Sequence, residues 1–161
     1  MDVRAATPAD CLAMARLIAE VAEEGFLGAE PPVDVADRAR RYEQMLAAEG
    51  AGGFWVLEHD GRVVGEASAL ERHPGVLHLG MAVGSEARGH GGGRALLQAV
   101  VEHARRHGCH KVDLEAWIDN ARAIAFYAAN GFEVEGLRRK HYRRRDGTLR
   151  SSMIMGRLLE L

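Results

Sequence analysis

From Cys11 onward the apolar residues Cys11, Met14, Ala15, Ile18, Val21 and Ala22 recur every three or four positions, which is the spacing of one helix face. Thr7-Pro8-Ala9-Asp10 precedes them as a start signal. Thr7 can cap, Pro8 sits where a missing N–H is harmless, and Asp10 favours the positive end of the helix. Gly25 marks the stop, and Val3 to Ala6 reads as a short strand ahead of it. A loop with Pro31-Pro32 leads to a second helix from about Asp34 to Glu49, with Val35, Tyr42, Met45 and Leu46 inward and Gly50 as its end. After Gly53 the period changes: Phe54 to Leu57 and Val63 to Leu70 predict strands, joined by the hairpin signal Asp60-Gly61. Pro74-Gly75 turns the chain into a strand from Val76 to Val83. Leu96, Leu97, Val100, Val101 and Ala104 restore the helical period, and Gly108 closes that helix. Lys111 to Ile118 predicts a strand, Ala121 to Asn130 a helix stopped by Gly131, and Phe132 to Arg138 and Thr148 to Leu158 the last two strands, with Asp146-Gly147 between. The order is β-α-α-β-β-β-α-β-α-β-β. No repeat or low-complexity tract interrupts it, so residues 1–161 are expected to form one domain.

Composition narrows the setting. A chain of 161 residues, 47% of them hydrophobic, can bury a sizeable core. No apolar run approaches the ~18 residues of a membrane helix. The start MDVRAATPAD lacks the basic end and apolar block of a signal peptide. Cys11 and Cys109 lie far apart and form no metal spacing or disulfide framework. A cytoplasmic protein is therefore expected, with no membrane partner. The net charge of −2 argues against bulk nucleic-acid binding.

Candidate chemistry concentrates in Met81 to Leu97, where a strand runs through Arg88-Gly89-His90-Gly91-Gly92-Gly93-Arg94 into a helix. Helix N-termini carry unpaired N–H groups and partial positive charge, and glycine lets the backbone approach a ligand closely, so phosphate suits this place. A flexible turn is the plainer alternative. A Walker loop fails, because Gly93 is followed by Arg94 and Ala95 instead of Lys and Ser/Thr. A dinucleotide loop fails at Arg94, where close packing wants Gly or Ala. Arg88 to Gly93 resembles a third pattern, the Arg/Gln-x-x-Gly-x-Gly/Ala signature of the GCN5-related N-acetyltransferases (GNAT). The segment Leu114 to Ile118, Asn120, Ala123-Ile124, Tyr127 and Gly131-Phe132 resembles that family's second motif.

The resemblance spans the chain and implies an α/β (α+β) acyl-coenzyme A acyltransferase fold. Its mixed, mostly antiparallel sheet would have about six or seven strands flanked by about four helices. It implies acetyl-coenzyme A as cosubstrate and no metal. Arg88, Gly89, His90, Gly91, Gly92, Gly93 and Arg94 would hold the pyrophosphate, and the backbone of Met81, Ala82 and Val83 the pantetheine. Asn120 would bond the pantetheine arm, and Tyr127 would protonate the departing thiolate. Asn120 and Tyr127 stand seven residues apart, on one helix face and ~10.5 Å along it. Helix capping by Asn120 and a core role for Tyr127 are the plain alternatives.

A general base is needed, because a lysine-like amine of pKa ~10.4 must lose a proton that costs about 4.6 kcal/mol at pH 7. Some family members carry Glu near Leu77, which cannot serve, and His78 is its neighbour. Leu114-Glu115-Ala116 resembles the Leu-Glu-Val of bacterial ribosomal-protein-alanine acetyltransferases, which implies Glu115 as base; Glu66 and Glu71 remain open. The basic run Arg138 to Arg145 reads as a solvated hairpin, with an anionic substrate, nucleic acid or the ribosome as rival partners. His103 and His107 lack the Glu of a zinc-protease helix, since Ala104 stands there. The expected reaction is direct acetyl transfer in a ternary complex to a small-molecule amine or amino acid. The alternatives are a protein N-terminal α-amine, or a non-catalytic acyl-coenzyme A sensor on the same fold. A homodimer is possible by resemblance.

Overall fold

The computed structural model describes residues 1–160, leaving Leu161 of the expected domain outside the described residues. The elements follow the order read from the sequence: β1 (Asp2–Ala5), α1 (Cys11–Ala22), α2 (Val35–Leu46), β2 (Gly53–His59), β3 (Arg62–His73), β4 (Val76–Val83), α3 (Gly92–Arg106), β5 (Lys111–Trp117), α4 (Ala121–Ala129), β6 (Glu133–Arg143) and β7 (Leu149–Leu158). The strands form one seven-stranded sheet in the order β1-β2-β3-β4-β5-β7-β6. Every neighbouring pair is antiparallel except β4 and β5. That parallel pair needs a crossover, and α3 supplies it. The result is the mixed, mostly antiparallel α/β architecture that the family resemblance implied, built from elements in the order the hydrophobic pattern gave.

Two apolar layers sandwich the sheet. On one side α3 lays Leu96, Leu97, Val100 and Ala104 against Leu57, Leu77, Val112 and Leu114. Leu96 and Val100 are fully buried, and each such side chain contributes about 1.5–3 kcal/mol. On the other side α1 and α2 cover Phe54, Val56 and Ala82 with Met14, Ile18 and Tyr42. Cys11 and Cys109 are free, and they sit in opposite layers.

Local signals act where they were read. Asp60 at φ 49° and Gly61 at φ 71° make the left-handed two-residue turn between β2 and β3. Asp34 caps α2 by accepting from the Asp37 N–H at 2.9 Å. Several boundaries shift, β3 for instance running on from Leu70 to His73. α2 ends at Leu46, four residues before Gly50. β6 runs to Arg143, not Arg138, because antiparallel pairing of Tyr142 with Arg150 and Arg143 with Leu149 satisfies its backbone. A register shift lies between Arg138 and Tyr142. There Lys140 adopts φ 49° and its N–H donates to Ser151 Oγ at 2.8 Å.

Candidate active site

β4 and β5 pair only at Val76 with Lys111, Leu77 with Val112 and His78 with Asp113. Both strands continue, to Val83 and Trp117, but apart. From Leu79 to Val83 the β5-facing edge of β4 therefore has no strand partner. An unpaired edge of this kind can take an extended ligand as if it were a further strand. Met81 and Val83 are partly exposed beside it, and Ala82 is buried.

The edge leads into the glycine loop. Gly89 at φ 75° and Gly91 at φ 85° hold backbone conformations that side chains resist, and a Cβ at either would meet nothing within 4 Å. Gly91 caps α3, so the N–H groups of Gly92, Gly93 and Arg94 lack intrahelical partners. Among the described residues, none of the N–H groups from Gly89 to Arg94 donates to a group outside the helix. His90 and Arg94 are exposed beside them. Gly92 has a different task, because a Cβ there would collide with the Leu57 side chain and push α3 off the sheet. Arg88 faces inward: its Nε donates to Val83 O at 2.9 Å, and its terminal nitrogen to Glu24 at 2.8 Å. The Arg88 hydrogen bond holds the Glu24 carboxyl below its usual range. The loop is thus an open cradle of unpaired donors at a helix N-terminus, which fits a pyrophosphate.

α4 flanks the groove. Asn120 caps it, its Oδ1 accepting from the Ala123 N–H at 3.2 Å. Tyr127 packs between Phe126 and Phe132, with ring centroids 5.2 and 5.5 Å away. Its hydroxyl has no partner in the protein among the described residues, and burial pushes its ionisation well above the ordinary tyrosine value. It stays a phenol at neutral pH, which is the state a proton donor needs.

On the α1/α2 side, the sheet opens into a cleft of about 480 Å³. Its lining includes Glu66 and Ser68 on β3, His78, Gly80 and Met81 on β4, and Glu115 and Trp117 on β5. Glu115 Oε2 accepts from Tyr142 Oη at 2.5 Å and Ser152 Oγ at 2.8 Å, and Arg138 lies 3.4 Å from Oε1. Burial alone would raise the Glu115 carboxyl, but these donors and charges outweigh it and leave the group below its usual range. His78 Nδ1 is 2.7 Å from Asp113 Oδ1. Glu66 is 3% exposed, and burial pushes it up to about 7 against the opposing pull of Arg38 and Tyr42. Arg38, Tyr42 and Met45 of α2 line the same cleft; the sequence marks Tyr42 and Met45 as inward but gives no sign of Arg38.

The loop between α1 and α2 covers the cleft and is held by the basic run. Arg144 donates to Gly28 O at 2.9 Å, and Trp117 Nε1 to Leu27 O at 3.2 Å. The Arg145 N–H reaches Glu30 at 2.9 Å. The guanidinium of Arg150 lies 4.6 Å from the Trp117 ring centroid. Arg138, Arg144 and Arg145 thus reach partners on the protein, while the run lies in the β6–β7 hairpin with Arg138, Arg139, Lys140, His141, Arg143 and Arg145 exposed, as a solvated hairpin would be. His103 and His107 stack at 4.0 Å, and His103 Nε2 is bound to Ala51 O at 2.8 Å.

Residues 15–132 match the model of the Acetyltransferase (GNAT) family. No curated protein matches the sequence. Among solved structures, the chain is similar to the ribosomal-protein-alanine N-acetyltransferase from Brucella melitensis, with TM-score 0.87 and 28% identity over 99% of this chain and 100% of that one. A putative acetyltransferase from Salmonella typhimurium, solved with its cofactor acetyl-coenzyme A, gives 0.84 and 25% over 100% and 95%. A phosphinothricin acetyltransferase from Sinorhizobium meliloti, in complex with acetyl-coenzyme A, gives 0.84 and 25% over 98% and 88%.

Proposed function

The chain belongs to the Acetyltransferase (GNAT) family of acetyl-coenzyme A-dependent N-acetyltransferases, and on that premise we propose that its acceptor is the primary amine of a small molecule, an amino acid before others. The observation that carries the reading is the parting of β4 from β5 after His78, which joins the glycine cradle to the polar cleft by one open groove.

Acetyl-coenzyme A supplies an acyl group already activated as a thioester. The N–H groups from Gly89 to Arg94 hold its pyrophosphate, with His90 and Arg94 at the rim, and the backbone of Met81, Ala82 and Val83 holds its pantetheine. An N–H of that strand polarises the thioester carbonyl. Asn120 uses its oxygen for the cap, and its amide nitrogen is left to bond the pantetheine. Tyr127 gives a proton to the departing sulfur. Glu115, the base that the resemblance implies, lines the cleft as a carboxylate that its three donors hold below its usual range, which makes it a weak proton acceptor. Glu66 suits proton removal better. Taking a proton from an α-ammonium of pKa ~8 costs about 1.4 kcal/mol at a group near 7, against about 4.8 at one near 4.5.

The likeness to the Brucella enzyme supports a second reading, in which the acceptor is a protein's N-terminal α-amine. In either case a cytoplasmic setting suits a chain in which no described helix is long and apolar enough to cross a membrane. The test is thermal unfolding with acetyl-coenzyme A, coenzyme A, NAD and ATP, followed by an amine screen. Ligand at ~100 times its dissociation constant adds about 2.7 kcal/mol, or roughly 5–10 °C for a chain of this size. A shift with both coenzyme A species alone supports the reading, and no shift with either ends it. A non-catalytic sensor would bind coenzyme A but turn over no amine, and Tyr127→Phe would leave it unchanged.

A further inference from the structure

We infer that Arg38 and Glu66 form the two poles of a head-group subsite in the acceptor cleft, Arg38 for the carboxylate and Glu66 for the ammonium of a free α-amino acid. The inference rests on the acetyltransferase reading and assigns residues to the amino-acid acceptor placed first there. Among the described residues, only two buried side-chain nitrogen or oxygen atoms lack a hydrogen-bond partner: Arg38 Nε and Glu66 Oε2. Both residues line the same cleft. A buried polar atom without a partner is costly, and here one vacancy is a donor on a cation and the other an acceptor on an anion. The two do not satisfy each other. Tyr42 stands beside both, with the Arg38 guanidinium 5.6 Å from its ring centroid, which fixes the arginine in place.

A ligand of a single charge fills one vacancy and leaves the other buried and charged. An α-amino acid carries both charges on adjacent atoms and fills both. A protein N-terminus has an amide where the carboxylate would be, and a lysine side chain has its carboxyl end far from the amine, so each would leave Arg38 unmatched. Ile18, Met45 and Phe54 on the cleft wall are left for an apolar side chain of the acceptor. In the transfer, the ammonium first gives one proton to Glu66, and the neutral amine nitrogen then forms its bond to the acetyl carbon. The carbon–sulfur bond breaks, the sulfur takes a proton from Tyr127, and the second proton leaving the nitrogen restores the Tyr127 phenol.

The experiment measures thiol release by the wild-type protein with saturating acetyl-coenzyme A and each common L-amino acid. Every amino acid that is used is then compared with its carboxamide. The subsite predicts a kcat/KM for the free acid at least ~30-fold above that for the amide, since a site built for a polar group rejects the analogue lacking it. Arg38→Met should shrink that ratio to within ~3-fold by losing the acid and sparing the amide, and Arg38→Lys should restore part of it. Glu66→Gln should lower kcat on acid and amide alike by ~100-fold or more. All three variants should bind acetyl-coenzyme A as the wild type does. Equal use of acid and amide by the wild type, an equal loss on both in Arg38→Met, or acetyl-coenzyme A binding with no amino acid consumed would each overturn the subsite. Failure of the wild type to bind acetyl-coenzyme A would instead overturn the acetyltransferase reading, and the subsite with it.

Discussion

The proposed coenzyme side of the groove presents mostly main chain, from Met81 to Val83 and from Gly89 to Arg94, close together in sequence, with the side chains of Asn120 and Tyr127 added from α4. The acceptor side presents side chains, among them Arg38 of α2, Glu66 of β3, His78 of β4, Glu115 of β5 and Tyr142 of β6. A main-chain site tolerates change at most of its positions, provided the glycines stay. A side-chain site can be rewritten one residue at a time. The division lets one fold keep its donor while its acceptors vary, and it explains why fold and reaction class carry across relatives when the acceptor does not.

The sharpest way to break the comparison lies at its seam. Tyr127→Phe should lower kcat by ~10²–10⁴, about 2.7–5.5 kcal/mol in barrier, with acetyl-coenzyme A affinity unchanged in calorimetry. A weakened affinity instead would make Tyr127 a binding residue of the coenzyme side.

Next is the buried carboxyl of the acceptor side. The Glu66 group is raised in the folded chain, from an ordinary 4.5 to about 7. Between those values the folded state holds more protons than the unfolded one, so stability falls as pH rises through that window and is level above it. The span is worth about 3 kcal/mol at most. Glu66→Gln should therefore melt above the wild type at pH 8, by up to several degrees, with the gap closing toward pH 4.5, as followed by circular dichroism. An equal gap at both pH values would contradict the buried, unpaired carboxylate.

Smaller effects sharpen the division. Gly91→Ala puts a side chain at φ 85°, which costs about 1–2 kcal/mol, so acetyl-coenzyme A affinity should fall roughly tenfold while acceptor preference holds. Arg144→Met frees the loop carbonyl of Gly28 and should raise the acceptor KM by only a few-fold, because Trp117 and the Arg145 N–H still hold the same loop. Steady-state kinetics with each substrate varied in turn reads both.

What the sequence disclosed follows the same line. The glycine loop, the Asp60-Gly61 turn and the helix stops at Gly25, Gly108 and Gly131 are backbone demands, written locally in residue types that few other conformations want. The order of elements was legible because each strand and helix keeps its own period. The acceptor cleft was not, because Arg38, though one turn from Tyr42 on the inner side of its helix, carries no chemical signature in the sequence. Only packing of α2 over the sheet buries its Nε. Glu66 was visible as a possible base among several with nothing local to prefer it, since its neighbours Arg38 and Tyr42 come from a distant helix. The basic run was legible as an exposed hairpin, but not the partners of Arg144 and Arg145, which are carbonyls and a carboxylate more than 110 residues away in sequence. Gly92 was counted with the phosphate glycines, and its close contact with Leu57 shows it also seats α3 on the sheet.

The most direct measurement is titration calorimetry of acetyl-coenzyme A, without acceptor, into the wild type and into the Arg38→Met/Glu66→Gln double variant. A main-chain coenzyme site beside a separate side-chain acceptor site predicts binding to both proteins with dissociation constants within ~2-fold, a difference below about 0.5 kcal/mol. No binding to the wild type, or a loss of tenfold or more in the variant, would contradict it.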